Sequence, residues 1–255
     1  MDTITAFHTA ARRYCINRYA ELHKVGKEIS TRFQAIDAIR AEIERFTPSD
    51  FEDVQEAKNL MAHAGQIAEN GFITSLQKIP EFKKIIQMER DSFSEFIQSL
   101  TENDLANIQP LPYQRVLTQK ESEAIWRELE NRWKCEQKNR YWYPLTDVQV
   151  EGILAFDAKK FVHSSAWELL PNLLAARNEN RVYELPEVGE EREIEVIKGE
   201  NLFFPGSEVF WTTKDFEAIV YISHENSLTL GGWLLEDFKQ SYENWSLLLY
   251  SGVDF

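Results

Sequence analysis

Three residues in the second half of the chain have side chains that could do catalytic chemistry, namely Asp157, His163 and His224. Asp157 follows the apolar run 153–156 and resembles the strand-end carboxylate of phosphoryl-transfer enzymes, but no glycine-rich phosphate loop accompanies it. His224 precedes Glu225, yet the second histidine that a zinc-protease helix requires is missing. The sequence therefore favours a protein without a catalytic site and keeps these three residues as the candidates should it have one.

Two combinations of serine and histidine have residue types that occur in nucleophilic hydrolases. Ser223 and Glu225 flank His224, but adjacent side chains on a strand point to opposite faces, so these three cannot form a relay with one another. Ser165, two residues after His163, is better explained as the N-cap of the next helix. A hydrolase-type site between the two halves of the chain remains a further alternative.

No group of residues has the spacing of a metal site. The five histidines are dispersed along the chain. The acidic run from Glu190 to Glu195 lacks the aspartates and the glycine of a calcium loop, so we expect a solvated run of charge. Cys15 and Cys135 form no CxxC pair, which favours reduced thiols in a reducing compartment. We expect neither a metal nor a cofactor.

Charge is distributed unevenly along the 255 residues. Residues 1–140 hold 20 basic and 22 acidic side chains, whereas residues 141–255 hold 8 and 20, which gives the second half a net charge of −12. Such a field disfavours binding of nucleic acid or an anionic membrane by the second half and attracts basic partners. The alternative is that the acidity serves only solubility.

The first half has the pattern of a helical bundle. One long helix is predicted from about Ala6 to Phe46, because four apolar residues recur at intervals of seven: Leu22, Ile29, Ile36 and Ile43. This stripe either packs inside the bundle or forms a homodimer contact. A helix from about Asp50 to Asn70 follows, with a capping box at Ser49 and a C-cap at Gly71.

Two more helices complete this half. Pro80 is placed as the first-turn residue of a helix that ends near Leu100. Thr118 and Glu121 have the spacing of a capping box for a helix that continues to about Lys138. Short connections between all these helices favour antiparallel packing, so residues 1–140 are predicted to form a helical domain.

The second half has the pattern of a small α+β domain over residues 141–255. Short alternating segments separated by turn residues, clearest in 209–230, predict an antiparallel sheet. The run 153–156 fits either a strand or the start of a helix. Gly231 and Gly232 let the chain leave the sheet sharply, and a tryptophan-bearing amphipathic helix follows. The predicted fold class is therefore α+β, with an N-terminal helical bundle and an antiparallel sheet packed against helices.

Acidic and aromatic residues are mixed in the last fifty positions, which is the composition of a surface that captures a basic protein. The candidate binding residues are Glu208, Trp211, Asp215, Glu217, Glu225 and Asp237. In size and acidity the chain is similar to the acidic immunity proteins that bacteria pair with secreted toxins, many of them basic nucleases. This similarity implies a non-catalytic, toxin-neutralising protein, and the alternative is a regulatory or scaffold protein that dimerises through its first helix.

The N-terminal segment lacks the apolar core of a secretion signal, and no run approaches the roughly 20 apolar residues of a membrane span. The sequence predicts a cytoplasmic protein with no membrane contact.

Overall fold

A computed structural model describes residues 1–23, 30–137, 141–148, 150–197 and 207–252. Contacts divide the chain into two compact units, Met1–Leu111 and Pro112–Phe255. Within the described ranges, no helix is both long enough and apolar enough to cross a membrane. The α+β fold class predicted from the sequence is confirmed.

The first unit consists of helices that share one apolar core. Its helices are α1 (Thr3–His23), α2 (Ser30–Ile43), α3 (Val54–Ile67), α4 (Gly71–Leu76), α5 (Pro80–Ser99) and α6 (Glu102–Leu105). A 3-10 turn, Pro48–Asp50, joins α2 to α3.

The prediction of one helix from Ala6 to Phe46 is wrong, because α1 and α2 are separate helices that pack against each other. The ring nitrogen Nε2 of His8 lies 3.1 Å from the carbonyl oxygen of Ile43. In a continuous helix these two residues would be about 50 Å apart, at about 1.5 Å of rise per residue. The two helices therefore run antiparallel. The sequence predicted a single helix because the seven-residue spacing of apolar residues continues from one helix into the next.

The apolar stripe with a seven-residue spacing packs inside the first unit. Leu22, Ile36 and Ile43 are buried in its core, and Ile29 lies outside the described residues. The two arginines that interrupt the stripe, Arg18 and Arg32, bind the buried carboxylate of Glu89 on α5. The apolar residues of the stripe therefore belong to the core of the first unit, and the two arginines between them belong to a buried ionic cluster.

Helix ends are correct in the sequence analysis where proline or a complete capping box marks them. Pro80 is in the first turn of α5, and Thr118 with Glu121 caps the helix that follows, as predicted. The Ser49 cap is wrong, because α3 is capped by Asp53, whose side chain accepts from the amide of Glu56. Gly71 does not end a helix but begins α4, which Asn70 caps.

The second unit is built on a seven-stranded antiparallel sheet of strand order β1-β4-β3-β5-β6-β7-β2. Its strands are β1 (Gln114–Val116), β2 (Ile153–Asp157), β3 (Arg181–Pro186), β4 (Arg192–Glu195), β5 (Val209–Thr213), β6 (Ala218–Ile222) and β7 (Ser227–Gly232). The ambiguous run 153–156 is thus a strand, paired with β7.

Apolar layers cover both faces of the sheet, which is why every residue of β5 and β6 is buried. One face packs against α7 (Gln119–Trp133) and Trp142. The other packs against α8 (Ala158–Val162), α9 (Ser165–Ala176) and α10 (Trp233–Ser241). Helix α7, which the sequence analysis grouped with the helical half, belongs to the second unit and ends at Trp133.

We expect the N-terminus of α7 to give the second unit an acid-sensitive contact. Arg115 donates to both carboxylate oxygens of Glu121, at 2.9 and 2.8 Å, and lowers the pKa of Glu121 to about 2. A carboxyl whose pKa is lowered by folding stabilises the fold above its unfolded pKa, and this contribution disappears as the pH falls toward about 2.

Glu121→Gln should therefore cost about 1 kcal/mol at neutral pH, a figure reduced for solvent screening because the side chain is 39% exposed. The cost should shrink as the solution is acidified toward the folded-state pKa. Urea unfolding of wild type and variant across this range measures the difference, and Glu128→Gln, on the same helix without such a pair, is the control. A cost that does not change with pH contradicts the assignment.

Candidate functional site

One end of the sheet gathers residues that are far apart in sequence. Antiparallel register places Pro186 beside Val209, Val209 beside Ile222, and Ile222 beside Leu228. The segments that continue from these strand ends therefore meet. We call this region the acidic end and define it by Tyr141, Glu187, Glu208, His224 and Glu225.

Glu208 is the buried centre of the acidic end. It directly precedes β5, and its side chain is 1% exposed. Its carboxylate accepts a hydrogen bond from Ser223 Oγ at 3.3 Å and pairs with His224 Nδ1 at 2.8 Å. Its carbonyl oxygen accepts from the amide of Glu187 at 2.7 Å. A charge buried this deeply costs free energy unless polar partners surround it, so these contacts explain how the fold tolerates the carboxylate.

The loop between β6 and β7 places His224 against Glu208. The amide of Ser223 donates to the carbonyl of Ser227 at 2.9 Å and closes the loop. The amide of Glu225 donates to Ser223 Oγ at 2.9 Å, and Asn226 takes a positive φ of 64° that asparagine tolerates. His224 is thus held on a short, internally bonded loop with its ring partly exposed.

The Glu208 carboxylate acts electrostatically on two of its neighbours at the acidic end. The contact between the Glu187 and Glu208 carboxyls raises the pKa of Glu187, because a proton shared between two acids is held more tightly. The hydrogen bond to Glu208 raises the pKa of His224, because the carboxylate stabilises the imidazolium. The arrangement therefore favours a bound positive charge, either a proton or an external cation.

Tyr141 is the exposed aromatic residue of the acidic end. Its side chain is 39% exposed, and its pKa is raised by the nearby carboxylates of Glu208, Glu187 and Glu225. Val188, which follows Glu187 in the sequence, is 61% exposed. An amphipathic ring and an aliphatic side chain thus lie among carboxylates at the surface.

The binding residues proposed from the sequence do not form one surface. Trp211 is 1% exposed, packs in the core against Trp167, and donates from Nε1 to Glu184 at 3.0 Å. Asp215 and Glu217 lie in the β5–β6 turn at the opposite end of the sheet from Glu208.

Two of these carboxylates already have basic partners in the chain. Glu217 pairs with Arg132 on α7. Asp237, on α10, accepts two hydrogen bonds from Arg177, at 2.7 and 2.8 Å. Only Glu208 and Glu225 of the six lie at the acidic end, and they are joined there by Glu187 and Tyr141.

The three catalytic candidates do not form one site, because each has a different structural role. Asp157 caps α8 by accepting from the amide of Lys160 at 2.9 Å, and His163 is an exposed residue at the end of that helix. Ser164, rather than Ser165, caps α9. Ser223 and His224 both contact the same carboxylate, so the acid and not the histidine is in the middle, which is the reverse of a hydrolase triad.

The acidic run before Val196 is not uniformly solvated, contrary to expectation. Glu193 is 4% exposed and contacts Lys214, Arg115 and the hydroxyl of Tyr113. This carboxylate therefore joins β4 to its neighbours. Cys15 and Cys135 are buried thiols, and burial raises the pKa of both.

Glu187 and Tyr141 had no local signal in the sequence. Glu187 follows an alternating strand in an ordinary surface loop, and Tyr141 lies in an aromatic run that predicts packing. Only the pairing β3–β5–β6 brings Glu187 and His224 to the same carboxylate. Comparison of the chain with protein-family models, with curated proteins and with solved structures gave no match.

Proposed function

We propose that the protein is a non-catalytic binding module that neutralises a basic protein partner, as an immunity or antitoxin protein does, and that the acidic end is the contact surface. The observation that supports it is the grouping of Glu187, Glu208 and Glu225 at one end of the sheet, with Tyr141 exposed among them. None of the lysines and arginines in the described ranges forms an ion pair with Glu187 or Glu225. Charge at this end is therefore available to a partner.

The chemistry of such a contact follows from these residues. Tyrosine is a favoured interface anchor, because its ring gives apolar contact and its hydroxyl gives a hydrogen bond. Carboxylates around it accelerate association with a basic protein and orient it, and the effect weakens with salt. A lysine or arginine of the partner would approach Glu187 and Glu225 while an apolar neighbour covers Tyr141 and Val188.

The two alternatives have less support. A scaffold that dimerises through Leu22, Ile29, Ile36 and Ile43 would have to expose three side chains that are buried in the core of the first unit. Light scattering tests it, and a dimer that the exposed variant Leu60→Ser leaves intact but Ile36→Ser abolishes would favour it. The hydrolase alternative lacks a relay of the required order at Glu208.

A binding measurement with a defined probe tests the proposal. The probe is the purified product of any neighbouring gene that encodes a basic protein, and surface plasmon resonance follows the complex at about 50 and about 300 mM salt. We expect association to slow with salt. The double variant Glu187→Gln, Glu225→Gln should lose about ten-fold in affinity, since each lost charge contact is worth roughly 0.5–1 kcal/mol.

The matched control removes the same charge elsewhere in the second unit. The double variant Glu128→Gln, Glu243→Gln also removes two negative charges, at exposed positions outside the acidic end. Equal losses in the two double variants would show that only net charge matters and would overturn the acidic end as the contact surface. Absence of any salt-sensitive complex would overturn the binding function.

A further inference from the structure

We propose that Glu187, Glu208 and His224 form a binding site for one divalent transition-metal ion, with Zn²⁺ as the defined probe. This inference goes beyond the proposed function, because it concerns the chain alone and requires no partner protein. Each residue offers one ligand atom, and the three atoms lie within 4.8 Å of one another.

The distances fit one ion after small side-chain rotations. Carboxylate oxygens and imidazole nitrogens bind Zn²⁺ at about 2.0–2.2 Å, so two ligands of one ion are about 3–4 Å apart. His224 Nδ1 and Glu208 Oε2 are already 2.8 Å apart. Glu187 is exposed on a loop and can move, whereas Glu208 is fixed by burial and by Ser223. The site therefore has one rigid ligand and two that adjust from the solvent side.

The electrostatics of the three groups favour a cation between them. Two carboxyls in contact cannot both be ionised without repulsion unless a proton or another cation lies between them. The ligand oxygens of Glu187 and Glu208 lie within 4.8 Å of each other, and Glu208 is buried. A divalent ion between the two carboxylates would offset this repulsion and would also bind the ring nitrogen of His224.

A buried hydroxyl gives a second, independent observation beside the three ligands. Tyr221 is 0% exposed, and its hydroxyl, which lies near the Ser223 side chain and the Trp142 backbone, makes no well-formed hydrogen bond among the described residues. Tyr221 and Ser223 are two residues apart along the chain, so their side chains share a face of the sheet. Phe210, two residues after Glu208, is the register partner of Tyr221. Glu208 is close enough to raise the pKa of this phenol.

This orphaned donor suits the outer shell of a metal site. Ligating carboxylates are themselves hydrogen-bonded by neighbouring groups that orient them, and buried donors without partners are rare in folded proteins. Ser223 already donates to Glu208 on the same face, and the hydroxyl of Tyr221 would hydrogen-bond to a ligand oxygen or to a metal-bound water. One imidazole and two carboxylates, with further positions open to water, is a donor set that Zn²⁺, Mn²⁺ and Fe²⁺ accept.

Titration calorimetry of the chelator-treated full chain with Zn²⁺ tests the site. We expect one ion per chain, released again by chelator, and Co²⁺ in its place should give visible bands that report nitrogen and oxygen ligands. Glu187→Gln and His224→Gln should each weaken binding by about ten-fold or more, which is the usual loss when a supporting or ligating group is removed. Both positions are exposed, so these variants should fold as the wild type does, which circular dichroism checks.

Two control variants separate this site from surface binding. Glu243→Gln removes an exposed carboxylate and His163→Gln removes an exposed histidine, and both positions lie elsewhere in the second unit and outside the three ligands. Both should bind Zn²⁺ within about two-fold of wild type. Binding that Glu187→Gln and His224→Gln leave unchanged, or no binding by the folded wild-type chain, would overturn the site. Either result leaves the test with a basic protein partner unaffected.

Discussion

Replacing Glu89 by glutamine is expected to lower the free energy of unfolding of the first unit by about 2–3 kcal/mol. The Glu89 carboxylate, 1% exposed, accepts from Arg18 Nε at 3.0 Å, from Arg18 Nη2 at 2.8 Å and from Arg32 Nη1 at 2.9 Å. Glutamine has nearly the same shape, but it supplies one acceptor oxygen and no charge. The two guanidinium groups would then face an amide that can donate but cannot neutralise them.

The expected value lies at the low end for a broken buried ion pair, because Arg18 and Arg32 are 28% and 33% exposed and water can replace part of the lost contact. Urea unfolding followed by far-ultraviolet circular dichroism measures the loss. All seven tryptophans lie after residue 111, so tryptophan fluorescence follows the second unit separately.

Glu21→Gln is the matched control for Glu89→Gln. Glu21 also contacts Arg18, at 3.3 Å, but its side chain is 64% exposed. Exposed pairs contribute about 0–1 kcal/mol, so this variant should unfold close to wild type. If the two variants lose equal stability, burial of the Glu89 cluster is not what holds α1, α2 and α5 together.

The same cluster shows why the sequence predicted the class of the first unit but not its helix count. Apolar periodicity in α1 and α2 keeps one phase across the break, so the two helices resemble one. The evidence for a helical hairpin is carried by long-range pairs, such as Arg12 with Glu44 and His8 with Ile43. Local sequence patterns predict which face of a helix is buried, but they do not predict which other helix packs against that face.

The candidate site was only partly predictable for the same reason. His224 and Glu208 were each selected from the sequence, one for chemistry and the other for charge, but nothing local joined them. Their contact depends on the register of β5 with β6, which places Val209 opposite Ile222. Trp211 was assigned to a surface because tryptophan is favoured both at interfaces and in cores, and only the covering of both sheet faces places it in the core.

The turn signals of the sheet were more informative, and Gly232 offers the sharpest test of them. We expect Gly232→Ala to lower the free energy of unfolding of the second unit by about 3–4 kcal/mol. Gly232 has φ 68° and ψ −150°, a backbone conformation that essentially only glycine adopts. It ends β7 and begins α10, so the chain turns off the sheet at this residue.

A methyl group at position 232 would also collide with the backbone. A Cβ atom there would lie 1.9 Å from the carbonyl oxygen of Glu217, which accepts from the amide of Trp233. Neither backbone segment can move without loss of the β6–β7 pairing of Ala218 with Gly232. Unfolding followed by tryptophan fluorescence should therefore show a large loss for this variant.

Gly152→Ala separates backbone strain from collision. Gly152 also has a positive φ, 74°, but a Cβ atom there meets no atom within 4 Å. It should lose only the conformational term, about 1 kcal/mol. If Gly232→Ala lowers the free energy of unfolding no more than Gly152→Ala does, the backbone at the Glu217 carbonyl can move to make room for the methyl group. The exit of the chain from β7 would then depend on a flexible turn, and not on the absence of a side chain at this one position.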